Sequence, residues 1–377
     1  MSSTLEPDEA RLALRAYFAG SPGIAQVRGV REGTDFAAAG FDRDDWARLT
    51  EQVGLAALGA PEVGGGLCLG ACHLAAAVEE CGASLHPGPA RGTALLGAGL
   101  AALSPDALPA SVASSVAAVL AGTAVVGLAG LTGDRLAVGP DGTATGTLSA
   151  VTHGAVADLV VAAADLPAGP AIVLVLVAPE TARSPRRTID FVVPRADLSV
   201  CRAPAVALTR PGDRTAYTRL VTLARLLLAA EQVGGAQACL TAMVDYALLR
   251  HQFGELIGSY QAIQHRCATV AVDVAAARAL VAAAAAALDG PADAHDRAQD
   301  RAEPLALLAR AEAAECFVEA SAAYVQLSGG IGFTWEHDAH LYFRHARATA
   351  PDGGTPAQLR EAAVKAGCLD LLTAPVG

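Results

Sequence analysis

Between about residues 121 and 210 the chain abandons the long apolar runs that flank it on either side. It breaks instead into VVGLAGL, DRLAVGPDGTATGTLS, ADLVVAAAD, AIVLVLVAPE and TIDFVVPRAD, short β-branched runs separated by Gly, Asp and Pro. That punctuation belongs to strands. RLAVGPDGTATGTL reads as a hairpin around Asp141-Gly142, a dipeptide that accepts the positive φ of a tight hairpin turn. On the N-terminal side Trp46, Leu49, Val53 and Ala56 follow helical spacing, predicting a helix that ends before Pro61. On the C-terminal side helices are expected over 216–250, 258–288 and 301–328, with a shorter one near 356–372. The polar stretch DGPADAHDRAQDRAEP reads as an exposed connection between two of them. Helices, then strands, then helices make an α+β chain with segregated layers. We expect an N-terminal helical domain over 1–120, a small β domain over 121–212 and a C-terminal four-helix bundle over 213–377. There is no β-α alternation and no G-x-G-x-x-G after a strand, which argues against a Rossmann fold.

Composition narrows the function classes. Hydrophobic residues make up 53% but aromatics only 4%, so the cores must be built from Ala, Val and Leu. Asp273 and Arg278 interrupt VAVDVAAARALVAAAAAAL, and Arg225 and Glu231 interrupt LVTLARLLLAAEQVGG. A spanning helix needs about 20 nearly uncharged residues, so these read as buried helices of a soluble, cytoplasmic protein without membrane contact. The start, MSSTLEPDEARLALRAYF, lacks a basic segment followed by an apolar one, so no secretory signal is apparent. A net charge of −11 argues against a nucleic-acid partner. Lys365 is the only lysine, which removes a P-loop and nearly every Schiff-base chemistry. The eight cysteines form no C-x-x-C pair, and Cys68, Cys72 and His73 fit no zinc spacing well. Reduced thiols are expected.

One stretch carries more hydrogen-bonding groups than a core helix needs: RHQFGELIGSYQAIQH, residues 250–265. Arg250 at a helix end can present a planar fork suited to phosphate oxygens, and Gln261 opens the next helix. Further on, QLSGGIGFTWEHDAHLYFRHA places Gln326 before the adjacent glycines Gly329 and Gly330. Such a pair permits positive φ and close approach of backbone N–H groups to a ligand. Alone it would read as a helix C-cap.

The domain order together with these two motifs resembles the acyl-CoA dehydrogenase family, from about residue 45 to 350. LTEQVGLAALGAPEVGGGLCLGACHLAAAVEECGASLHPGPA fits the family's entry helices and their Pro-Glu-x-x-Gly-Gly turn, and TGTLSAVTHGAVADLVVAAA fits a strand pair more loosely. The resemblance implies FAD as cofactor, contacted by Arg250, Phe253, Gln261, Gln326, Gly329 and Gly330. It implies α,β-dehydrogenation of an acyl-CoA or acyl-carrier thioester, with electrons passed to an electron-transfer acceptor. The 326–330 loop would close over a neighbouring subunit's flavin, so a homo- or hetero-oligomer, dimer or tetramer, with shared FAD sites is expected. Metal ligation by His337, His340 and His345 is the weaker reading, since the family uses that segment for packing and the subunit interface, and no metal is expected.

The chain departs from the family where the chemistry lies. The stretch YFRHARATAPDGGT holds no glutamate at the usual place of the catalytic base, and the alternative position on the preceding long helix is Ala224. Arg225 matches the family arginine beside the active site, or caps and snorkels from its helix. Glu231, two turns beyond Ala224 on the same face, is the remaining candidate base. Amid LLLAA and VGG it is expected to be desolvated, with a raised pKa. The alternative is a buried glutamate paired with an arginine. VVGLAGLTGDRLAVGP replaces the family's Thr/Ser-Glu-Pro and Gly-Ser-Asp beside the flavin ring. A non-catalytic or half-site subunit of a heteromeric dehydrogenase is therefore a second reading, and a flavin enzyme acting on a carrier-bound substrate a third.

Overall fold

The structure is a computed structural model and describes residues 6–32, 40–62, 65–103, 108–290 and 295–370. The N-terminal portion is helical: α1 (Pro7–Gly20), α2 (Gly23–Glu32), α3 (Arg43–Val53), α4 (Ala71–Ala83), α5 (Ala90–Ala101) and α6 (Ala110–Leu120). Asp42 caps α3 by accepting from the backbone of Asp44 and Asp45. The helix ends at Val53, because Gly54 turns into the left-handed region at φ +73°. Ala56 therefore lies beyond it, short of the expected end. The Pro-Glu-x-x-Gly-Gly turn falls partly on residues 63–64, outside the described residues.

The seven strands of the main sheet run from β1 (Val126–Leu128) through β2 (Arg135–Val138), β3 (Thr143–Thr152), β4 (Leu159–Leu166), β5 (Gly169–Leu176) and β6 (Ala182–Arg186) to β7 (Arg195–Ala207). β2 and β3 form the expected hairpin, Ala137 opposite Thr145 and Val138 opposite Ala144, with Gly142 at φ +74° in its turn. The pairings β3–β2–β4–β5–β7–β3 close into a ring, which leaves few open edges. Alternate residues such as Leu136, Leu148, Val160, Val173 and Val200 fill its inside.

Asp213 then caps α7 (Arg214–Leu249), a helix of 36 residues. α8 (Gln261–Leu288) returns along it and α9 (His295–Ser328) runs forward again, followed by α10 (Ala339–Thr349) and α11 (Pro356–Lys365). Two boundaries differ from expectation. Pro304 lies inside α9, so much of the polar connection is helix. α10 begins within GFTWEHDAHLYFRHA, where crowded aromatic and histidine side chains hide the buried stripe of Leu341, Tyr342, His345 and Ala346. α8 also differs: only 33% of its apolar window is buried, and by length and composition alone it could cross a membrane. Its inner face, Val270, Val274, Ala277 and Val281, packs into the bundle. All eight cysteines are free, and Cys68 and Cys201 are exposed rather than in the core.

α4 crosses α7 at backbone contact. A Cβ on Gly234 would lie 1.9 Å from the Glu79 carbonyl oxygen, and one on Gly82 would lie 2.0 Å from that of Glu231. Small residues at both points let the two backbones touch. This approach carries Glu231 beneath the N-terminal helices.

Candidate functional site

A cavity of about 210 Å³ opens between the strand domain and α7. Leu128–Thr132, Ser149, Ala150, Thr152 and Arg195 form one wall; Val221, Ala224, Arg225 and Leu228 of α7 form the other. Arg91 from α5, Arg310 from α9 and Asp352-Gly353 complete it. Arg225 is thus at the cavity, its guanidinium 3.2 Å from Glu303. Ala224 beside it offers no proton acceptor.

Glu231 stands behind this wall in a chain of buried charges. Its Oε2 accepts from Arg91 Nε at 2.9 Å. Its Oε1 lies 3.3 Å from His345 Nε2, a charge contact off the hydrogen-bond axis. His345 Nδ1 in turn lies 3.0 Å from Asp190 Oδ2. Burial alone would raise the Glu231 carboxyl, as the sequence suggested. Arg91 and His345 outweigh it and hold the group at about 2. The expected upward shift is therefore reversed, and the pairing with an arginine is the arrangement found. Burial works against a charged His345, yet Asp190 and Glu231 raise it to about 9, so the imidazole is a cation at neutral pH. His337 and His340 go elsewhere, against the Tyr324 and Trp335 rings.

The carboxylate that lines the cavity is Asp352. Arg195 grips it at both oxygens, 2.9 Å and 2.6 Å. A search for glutamate alone passes over it, although it lies within the APDGGT stretch. Arg310 is only 1% exposed. It donates to Gln232 Oε1 at 2.9 Å and to the carbonyls of Thr349, Ala350 and Asp352 at 2.6, 3.1 and 3.0 Å.

Arg250, Phe253, Gln261, Gln326, Gly329 and Gly330 gather at the opposite end of the bundle. Arg225 and Arg250 lie about 37 Å apart along α7 at helical rise. Arg250 is exposed and makes no ion pair among the described residues. Phe253 and Gly254 both take positive φ, +55° and +85°, turning a two-residue hairpin between His251–Gln252 and Glu255–Leu256. This leaves the Phe253 ring 95% exposed. Gln252 and Gln264 are spent on holding the turn, through Tyr260 Oη to the Gln252 carbonyl at 2.9 Å and Gln264 Nε2 to the Gly258 carbonyl at 2.9 Å. Tyr246, one turn before Arg250, donates to the Ser328 carbonyl at 3.5 Å, tying the Gln326-Gly329-Gly330 loop alongside. Gly329 has φ +67°, and the space beside both glycines is open.

Residues 212–367 match the acyl-CoA dehydrogenase C-terminal domain. The acyl-CoA dehydrogenase IpdE2 of Mycobacterium tuberculosis is 35% identical over 314 residues, 82% of this chain and 82% of that one. The ChsE4-ChsE5 complex from Mycobacterium tuberculosis superposes with a TM-score of 0.81 at 25% identity, covering 100% of both chains. Butyryl-CoA dehydrogenase from Megasphaera elsdenii has the same fold, with a TM-score of 0.74 at 18% identity over 99% of this chain and 100% of that one. The chain belongs to the acyl-CoA dehydrogenase family of flavin oxidoreductases.

Proposed function

We propose that this chain acts in FAD-dependent α,β-dehydrogenation of an acyl thioester, at a site completed by a second chain. The separation of about 37 Å between the cavity and the Arg250 cluster carries this reading. The two ends face different ligands, or a ligand shared with a neighbour. The residues of the cluster suit a flavin dinucleotide. Arg250 offers a guanidinium fork to a pyrophosphate, Gln261 and Gln326 add amide donors, and the open backbone at Gly329 and Gly330 admits a phosphate closely. Leu248, Leu249, Phe253 and Phe333, each more than 60% exposed at this end, would be covered by the neighbour. When bound, FAD would take up the hydride leaving the acyl β-carbon. A separate electron-transfer acceptor would serve as the partner.

In the cavity the acyl group lies between the strand wall and α7, with Arg225 at its edge. Asp352 is the carboxylate placed to accept the α-proton, once Arg195 gives up one of its two bonds. Glu231, the base expected from the sequence, acts in this reading as a positioning residue that holds Arg91. Two variants test the shared site together. Arg250→Met should weaken FAD binding by about tenfold or more, and Asp352→Asn should abolish turnover. Neither oligomer alone should turn over at low FAD, whereas a hybrid of the two variant chains should regain activity. It would contain one site built from Asp352 of one chain and Arg250 of the other. A silent hybrid would overturn the arrangement.

A second reading follows from the pairing of Asp352 with Arg195. If that pair never opens, this chain lends its Arg250 cluster to a paralogous catalytic subunit, in an arrangement like the heteromeric ChsE4-ChsE5 complex. The visible spectrum separates the two. A yellow homo-oligomer with about one FAD per chain supports catalysis here, and a colourless chain that gains flavin only with a paralogue supports the half-site.

A further inference from the structure

Arg310 directs a buried guanidinium at main chain. It is 1% exposed on α9, and its Nη2 gathers the carbonyls of Thr349, Ala350 and Asp352 at 2.6, 3.1 and 3.0 Å. Its Nη1 donates to Gln232 Oε1 at 2.9 Å, and Gln232 is fixed in turn by donating to Thr349 Oγ1 at 3.1 Å. The first two carbonyls need a donor because α10 ends at Thr349, and the last carbonyls of a helix have no partner within it. Pro351 follows, which stops the helix and brings no N–H. An arginine at a helix C-terminus is an ordinary cap. The third carbonyl is a different matter, since it belongs to Asp352, beyond the helix. Past Asp352 the chain has little stiffness of its own. Gly353 and Gly354 take φ +73° and +130°, and nothing lies within 4 Å of where a Gly353 Cβ would sit. Such a turn deforms easily, so it has to be held from outside.

We propose that Arg310 is a positioning residue for the dehydrogenation: it fixes the main chain of Asp352, so that the carboxylate stays in place while Arg195 lets go of it. The inference rests on the reading of Asp352 as the proton acceptor. Two arginines from different elements share Asp352. Arg195 of β7 takes the side chain, at 2.9 and 2.6 Å, and Arg310 of α9 takes the carbonyl. For the carboxylate to accept the α-proton, Arg195 must give up one of its two bonds. The side-chain grip is then halved, and the main-chain grip keeps the carboxylate oxygen within reach of the α-carbon. Arg310 stands outside the proton transfer. Its acceptors are one amide oxygen and three carbonyls, groups that do not titrate, so a proton arriving on Asp352 leaves this hold unchanged. A lysine in its place would bring a point charge without the planar fork that reaches Gln232 and the carbonyls together.

The test compares Arg310→Met, Arg310→Lys and Asp352→Asn with the parent, each as the FAD-loaded oligomer, with rates counted per bound flavin. Butanoyl-, hexanoyl- and octanoyl-CoA are the probes, unlabelled and with deuterium at the α-carbon. Arg310→Met should lower kcat about a hundredfold, the usual effect of a reacting group displaced by about 1 Å. KM should stay within about twofold of the parent, because the bound thioester does not touch Arg310. The α-deuterium isotope effect on kcat should rise as proton removal becomes the slow step. Arg310→Lys should recover about tenfold of the loss. A cap that only supports the fold would lower the melting temperature and the flavin-loaded fraction. It would leave kcat per flavin and the isotope effect unchanged, and that result overturns the proposal. Should Arg310→Met fail to fold, Arg310→Lys decides: a loss of about tenfold is expected, and a parent-like kcat overturns the role. Asp352→Asn separates this inference from the one beneath it. If that variant is inactive while the Arg310 variants keep the parent kcat, Asp352 stands as acceptor and the positioning role falls. Turnover by Asp352→Asn, or none by the parent on any of the thioesters, overturns both.

Discussion

Glu231→Gln should cost the fold about 3–5 kcal/mol, the usual consequence of removing one partner from a buried ion pair. Arg91 would keep an amide oxygen in place of a carboxylate, and His345 would face Asp190 alone. Urea denaturation of the variant and the parent measures the difference. The pH dependence carries a signature of the same cluster. His345 is raised to about 9, so its contribution is fully present below about 6.5 and is lost as pH climbs through 9. Glu231 is lowered to about 2, so its contribution is present above about 4.5 and is lost as pH falls towards 2. Melting temperature should therefore be flat between about pH 4.5 and 6.5 and decline on the alkaline side. In Glu231→Gln that alkaline decline should be shallower, since His345 loses one of its two anions. Turnover of the folded variant separates the roles. Retained activity marks a positioning residue, whereas complete loss with an intact flavin spectrum would return Glu231 to the position of base.

Gly234→Ala should destabilise by about 3 kcal/mol or more, beyond an ordinary overpacking substitution. The new methyl would have to displace the Glu79 carbonyl, 1.9 Å from where it must sit, and backbone cannot step aside as a side chain does. Gly235→Ala makes the control. Its Cβ would meet the Phe317 ring at 2.5 Å, a side chain able to rotate, so the loss should be smaller. Thermal melts followed by circular dichroism rank the two. A Gly234→Ala protein as stable as its parent would mean that α4 and α7 do not touch as described.

Much of this fold could be read from local pattern. The switch of hydrophobic period near residue 121, the Asp141-Gly142 turn and the long apolar helices depend on neighbours in sequence, and all reappear. α10 did not, because its inward stripe is carried by tyrosine and histidine in a segment whose aromatic density masks a period of 3.6. The Arg250 stretch declared itself through an excess of polar groups on an exposed turn. The cavity was harder. Arg91, Arg195, Arg310 and Asp352 come from three elements and a turn spread across more than 250 residues, and each looks ordinary in its own segment. The error over Glu231 has the same origin. LLLAAEQVGG gives its desolvation, but nothing local reveals that Arg91 and His345 arrive from either side to reverse the effect. Pattern reports what a residue is buried in, and only the assembled chain reports with whom.

α7 also sets a phase as well as a distance. One uninterrupted helix carries Arg225 at the cavity and Arg250 at the far end, so adding or removing a residue between them would turn one against the other by about 100° and shift it by about 1.5 Å. Helices elsewhere can absorb such a change by fraying at a terminus. This one is anchored at both ends and pinned midway, where Gly82 meets the Glu231 backbone and Gly234 meets that of Glu79. Sequence drift in this region is therefore confined to substitution, and a chain of this kind can exchange the residues that line its site far more easily than it can change the length of the helix that displays them.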